Sequence, residues 1–147
     1  MKTRKNNNLT KVIHRRATKR ATKRATKRAT KKVYSKSDYK SGDGMLTAVW
    51  GPGLWHYLHT MSFNYPIKPI KEDMHNYLNF IVSLKDVLPC KHCRINLRTN
   101  FKTLPIRMCD MRSRETFSRY VYNLHEHVNK MLKKKSGLTY CKVRERY

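Results

Sequence analysis

The chain has 147 residues and a formal net charge of +25, with 39% hydrophobic and 29% charged residues. That suits one small folded domain plus a tail, and four cysteines are too few for a disulfide-scaffold peptide of this length. The longest apolar runs, such as FIVSL from Phe80, are far too short to span a bilayer, and no hydrophobic leader opens the chain, so neither a membrane span nor a secretory signal is expected.

The charge is unevenly spread. Residues 1–37 carry fifteen Lys or Arg and no acid, and residues 38–147 carry the other nineteen with all nine acids. Residues 17–32 read ATKRATKRATKRATKK, a four-residue repeat with cations around a thin alanine stripe. Such a segment has no apolar face to bury, and self-repulsion favours an extended, disordered tail. Its charge fits sequence-independent, salt-sensitive contact with nucleic acid through residues 1–37. A solvated tail without a required partner is the alternative. A transit peptide would need an amphipathic apolar face, which this run lacks. Residues 33–44, VYSKSDYKSGDG, read as a polar linker, so the expected division is a Lys/Arg-rich tail and linker over 1–44 and a folded domain over 45–147.

Four helices follow in the folded part. Residues 48–65 place Leu54, Trp55, Leu58, Met61 and Tyr65 at helical spacing, with Pro52 expected in the first turn and Pro66 after the end. Residues 72–88 start with acids, repeat Met74, Tyr77, Leu78, Ile81, Leu84 and Leu88, and stop at Pro89. Residues 90–101 set Cys93, Leu97 and Phe101 four apart. Residues 113–134 start at Ser113, a good N-cap, and put Phe117, Tyr120, Val121, Leu124, Val128, Met131 and Leu132 on one side, with Gly137 as the expected stop. No strand pattern competes, which predicts an all-α bundle with short loops.

The chemistry concentrates in VLPCKHCRIN, residues 87–96. Cys90 and Cys93 supply one zinc knuckle, but none of Cys109, Cys141, His125 and His127 forms a recognisable second pair. His125 and His127, two apart on a helix, point about 200° apart. A redox pair explains more. The cysteines open a helix, whose unpaired N–H groups favour an anion, and Lys91, His92 and Arg94 add positive charge. Both effects are expected to lower the thiol pKa values. A thioredoxin fold needs a βαβ pattern that is absent, so an all-helical home for the motif suggests a cofactor that takes the electrons. Trp55 and His59 share one helix face, as do His125, Val128 and Asn129. Each set reads either as a core cluster or as a surface for a flat heterocycle. His14 and His75 read as ordinary tail or surface residues.

WGPGLWHYLHTMSFNYP (50–66), LPCKHCRINL (88–97), SRETFSRYVYNLHEHVN (113–129) and YCKVRERY (140–147) together resemble the Erv/ALR FAD-linked sulfhydryl oxidases, most closely the branch encoded by large DNA viruses, including giant viruses of amoebae. The likeness covers about 100 residues from near Met45. It implies a four-helix bundle with a short fifth helix, a homodimer, and FAD held by Gly51, Trp55, His59, His125, Val128 and Asn129, with Lys133 toward the pyrophosphate. It implies that Cys90 exchanges with the thiols of a client protein or a thioredoxin-like shuttle. Cys93 lies against the flavin and passes it electrons, and oxygen takes the pair as hydrogen peroxide. The host cytoplasm or the virion is the expected location, with the mitochondrial intermembrane space as alternative. A nucleic-acid-associated structural protein with an inactive oxidase-like bundle is the rival reading.

Three departures stand out. Glu126 replaces an asparagine of the family's usual HNxVN and should weaken FAD binding unless it turns away. Tyr122 stands where many members carry a cysteine that pairs with one matching Cys141. Cys109 has no clear counterpart, and it and Cys141 read as a pair, a relay or two free thiols.

Overall fold

The computed structural model describes residues 34–40, 42 and 44–147. Most of the basic tail, including its repeat and His14, lies outside the described residues. The chain divides into two units, Met1–Lys36 and Ser37–Tyr147. Within the second, the Leu46 N–H donates to the Asp38 carbonyl at 2.7 Å.

Five α-helices build the second unit: α1 (Thr47–Phe63), α2 (Lys71–Val87), α3 (Lys91–Thr103), α4 (Arg114–Met131) and the short α5 (Tyr140–Arg144). Single 3-10 turns stand at Lys36–Tyr39 and Met108–Met111, and no strand occurs among the described residues. The all-α expectation holds. Helix α1 packs along α4, α2 along α3, and α5 against α4.

Local chemistry sets the boundaries. The Ile70 N–H donates to the Asp73 carboxylate at 3.0 Å at the start of α2, and the Thr116 N–H donates to Ser113 Oγ at 3.2 Å at the start of α4. Each removes one unpaired helix-start donor. Pro52 departs from expectation. Helix α1 starts at Thr47, so Pro52 stands in its second turn, and the Ala48 carbonyl loses its backbone donor. Ala48 is exposed, and water can take that role.

The end of α4 also departs. The helix stops at Met131, short of the expected Lys134, and Gly137 is not its stop. Lys133 itself takes a left-handed backbone, φ 54°. The Lys134 N–H then reaches the Asn129 carbonyl at 2.8 Å and the Lys133 N–H reaches Lys130 at 3.0 Å. This is a Schellman cap with lysine in the position glycine normally takes. Met131 and Leu132, expected on the apolar side, are exposed at 42% and 51%.

The main core gathers Leu58, Ile81, Leu84, Leu97, Met111, Phe117, Val121 and Leu124, with Cys93 and Trp55 packed against it. Side chains this deeply buried contribute about 2 kcal/mol each. Tyr65, read as part of the first helix, lies beyond it and is fully buried, its hydroxyl donating to the Met111 carbonyl at 2.9 Å. That bond fixes the unforeseen Met108–Met111 turn.

A second small core holds α5: Phe63, Tyr140 and Val143, with Tyr122, Leu138 and Tyr147. The Tyr122 hydroxyl donates to the Leu138 carbonyl at 2.8 Å, and Tyr140 meets Ser118 Oγ at 2.8 Å. Cys109 and Cys141 are exposed free thiols, so hydrogen bonds rather than a disulfide tie the α4–α5 segment to the bundle. Tyr122→Phe is expected to lower stability by about 1 kcal/mol, read as a lower melting temperature. In a Cys90→Ser, Cys93→Ser chain, added reductant should leave the melting temperature unchanged.

Candidate active site: a dithiol and a buried histidine pair

The site has two halves on one stripe of α1. Thr47, Gly51, Trp55 and His59 follow one another at spacing four and so share one side of the helix. The first and last are about 18 Å apart along the axis.

At the N-terminal end lies the dithiol. Pro89 ends the approach to α3, and Cys90 is its N-cap rather than its first residue. The Cys93 N–H donates to Cys90 Sγ at 3.2 Å. Thr47 Oγ1 lies 3.6 Å from Cys93 Sγ. Both cysteines are half-buried free thiols. The expected lowering of both thiols holds only for Cys90. Burial works against its thiolate, but hydrogen bonds from Cys93, Thr47 and the His92 backbone outweigh it, and the pKa falls. Cys93 goes the other way. Burial and its hydrogen bond and charge coupling with Cys90 push it up, partly offset by Thr47. Burial and the mutual Cys90–Cys93 hydrogen bond, which favours the Cys90 thiolate and disfavours that of Cys93, set this asymmetry. Arg94 donates to the Leu88 carbonyl.

At the other end, Trp55 stacks flat on His125 of α4, with centroids 4.0 Å apart and planes 4° apart. His59 Nε2 meets His125 Nδ1 at 2.9 Å. His59 is 4% exposed. Its pKa falls to about 4 through burial, then through repulsion from His125 and His56. Burial lowers His125 as well, with Glu126 opposing. Both rings are therefore neutral at pH 7.

Next to this pair opens a cleft lined in part by His59, Tyr122, His125, Glu126, Arg146 and Tyr147. Glu126 does not turn away. It stays on the cleft wall and accepts a hydrogen bond from the Asn129 amide at 3.0 Å. Trp55, His59 and His125 are thus brought together, and Asn129 is tied to the cleft through Glu126. Gly51 lies on the stripe, where an added Cβ would stand 3.4 Å from Thr47 Cγ2. Val128 is half-buried, with its carbonyl accepting the Leu132 N–H. Lys133 is exposed and serves the helix cap, and Arg146 is the cation on the cleft wall. Thr47, Arg146 and Tyr147 carried no role in the sequence reading. Thr47's place on the four-residue stripe was the available signal, and the other two sit in the quoted YCKVRERY motif.

His59 Nδ1 is buried without a hydrogen-bond partner. In the wall of a cleft beside a flat aromatic shelf, that nitrogen is matched by a polar-edged heterocycle, and Arg146 and Ser136 offer polar contacts around it. The residues fit a flavin nucleotide. Among the described residues no group of three or more His, Cys, Asp or Glu is placed to hold a metal ion, and no helix is long and apolar enough to cross a membrane.

The dithiol at the start of α3 and the neutral histidine pair between α1 and α4 lie at opposite ends of the α1 stripe in an all-α bundle. The chain belongs to the Erv1/Alr family, whose model matches residues 52–147. It is 36% identical over 91 residues to a probable FAD-linked sulfhydryl oxidase of Acanthamoeba polyphaga mimivirus, covering 62% of this chain and 63% of that one. It is 27% identical to the FAD-linked sulfhydryl oxidase ERV1 of Arabidopsis thaliana, covering 57% and 42%. To an FAD-linked sulfhydryl oxidase of African swine fever virus it is 28% identical, covering 58% and 70%. The match thus spans about three fifths of the mimivirus relative and two fifths of the plant one. The fold matches the crystal structure of the yeast Erv1 core with a TM-score of 0.65 at 21% identity, covering 80% of this chain and 92% of that one.

The lowered His59 has a consequence for stability. Between pH 6.5 and about 4 the unfolded state takes up a proton that folded His59 refuses, so stability falls as pH drops through that window. The loss amounts to roughly 3 kcal/mol. Urea unfolding from pH 7.5 to 4.5 should show it, and His59→Phe should flatten most of the slope, leaving the smaller part due to His125.

Proposed function

We propose that this protein is an FAD-dependent thiol oxidase that makes disulfide bonds in client proteins. The observation that carries the reading is the α1 stripe, which joins the half-buried Cys90–Cys93 pair to the neutral His59–His125 pair and its aromatic shelf. The relatives named FAD-linked sulfhydryl oxidases support it.

In the oxidised protein a client thiolate attacks Cys90 Sγ. The Cys90–Cys93 bond breaks and its electron pair leaves on Cys93. The client's second thiolate then attacks its own sulfur in the mixed disulfide, closing the client disulfide and releasing Cys90 as thiolate. Hydrogen bonds that favour the Cys90 thiolate make it a good leaving group in that second step. Cys93 packs against the core and faces α1. Trp55 and His125 present the flat surface for the cofactor ring, and His59, Asn129 and Arg146 supply the polar contacts, with Gly51, Val128 and Lys133 as further contacts by resemblance. When bound, FAD supplies the acceptor for the electron pair and passes it to oxygen, with hydrogen peroxide as product.

Clients present dithiols directly or through a thioredoxin-like shuttle, and the working assembly is a homodimer. The viral relatives support a place in the host cytoplasm or the virion. The fifteen cations of residues 1–37 support a polyanion-binding arm.

The full chain is expected to purify yellow and to consume oxygen when given a dithiol. A protein that stays colourless after incubation with excess FAD overturns the proposal. Cys93→Ser should lose turnover while keeping most of its flavin absorbance. Deleting residues 1–37 should abolish salt-sensitive retention on DNA without changing the oxidase rate, and equal retention by the shortened chain would refute the arm.

A further inference from the structure

The dithiol has a polar neighbour from outside its own helix. Thr47 opens α1, 46 residues before Cys93, and its Oγ1 lies 3.6 Å from Cys93 Sγ. That separation is in range for a hydrogen bond to sulfur, the larger and softer atom. Thr47 has no capping duty to explain its presence: Leu46 is the N-cap of α1 and makes no side-chain cap bond. The Thr47 methyl lies 3.4 Å from where a Cβ on Gly51 would stand, which leaves the hydroxyl to the sulfur.

We propose that Thr47 is a member of the dithiol site, donating a hydrogen bond to the Cys93 thiolate and thereby making Cys93 the better leaving sulfur. The inference rests on the thiol-oxidase reading and adds a residue to it. In the step concerned, a client thiolate forms a new S–S bond with Cys90 Sγ, the Cys90–Cys93 bond breaks, and the electron pair goes to Cys93 Sγ. A thiol pair lets either Thr47 or Cys93 be the donor. A thiolate has no hydrogen, so only the Thr47 hydroxyl can donate, and the bond becomes charge-assisted.

The surroundings agree. Burial, then the hydrogen bond and charge of Cys90, hold the Cys93 thiol up, whereas Thr47 and the Cys93 backbone pull it down. In the dithiol the Thr47 hydroxyl favours the Cys90 thiolate as well; attack on Cys90 ties that sulfur into the mixed disulfide and leaves the hydroxyl to Cys93. Three of the cations nearby are engaged with other partners. On α3, Arg94 donates to the Leu88 carbonyl and Arg98 pairs with Asp86. At the end of α2, Lys85 also pairs with Asp86. Lys91 and His92 are exposed on α3, and the first turn of α1 brings no acid.

The test uses the full chain with Cys90→Ser, Cys109→Ser and Cys141→Ser, which leaves Cys93 as the sole thiol. Serine is a good N-cap, so the start of α3 is kept. Iodoacetamide alkylation is followed against pH by intact mass. Thr47→Val is expected to raise the pH midpoint by roughly half a unit to one unit and to slow alkylation at pH 7.5 about three- to tenfold. Thr47→Ala should behave alike, and Thr47→Ser should track the parent. In the four-cysteine chain loaded with FAD, Thr47→Val should lower kcat/KM for a dithiol and Thr47→Ser should restore it. Parental pH profiles for both Val and Ala variants, or unchanged turnover, overturn the proposal. Alkylation needs no cofactor, so a colourless protein would refute the oxidase reading and leave the Thr47 result standing.

Discussion

The contact between His59 and His125 is the one on which the site turns. Two imidazoles meet at 2.9 Å between α1 and α4, largely out of water, and Trp55 lies flat on one of them. Burial disfavours charge on either ring, so each must share hydrogens as a neutral group. Whichever ring donates, the second nitrogen of His59 is left buried without a partner. A purely structural core has no reason to retain such a pair, because two apolar residues of similar size would pack without an orphan. Its presence, at the end of the stripe that begins at the sulfurs, links the packing of α1 on α4 to chemistry.

Much of this was legible in the sequence because the signals were local or strictly periodic. The apolar spacing in residues 113–134 found α4 and its buried face, and the Cys-x-x-Cys pair after Pro89 found the start of α3. Trp55, His59 and His125 could be named because spacing four places them on helix faces. What escaped depends on distant partners. The Met108–Met111 turn is fixed by Tyr65, 46 residues away, and no local pattern announces it. Thr47 looks like an ordinary first-turn residue until α3 is folded beside it. The left-handed helix stop at Lys133, a position where glycine is the usual signal, was likewise not announced by any local pattern.

The dithiol shows how far position outweighs composition. Three basic side chains flank the cysteines, yet the two sulfurs diverge because one caps the helix and the other sits under it, against α1. A partly exposed, more acidic Cys90 and a more buried, less acidic Cys93 divide the labour of exchange between outside and inside without any change in residue type.

Tyr122 carries a broader implication. By gripping the Leu138 carbonyl with its phenol, it closes the α4–α5 corner with a bond indifferent to redox poise. The α4–α5 corner therefore needs no disulfide to close. On the thiol-oxidase reading proposed above, a catalyst built in this way is not downstream of its own product.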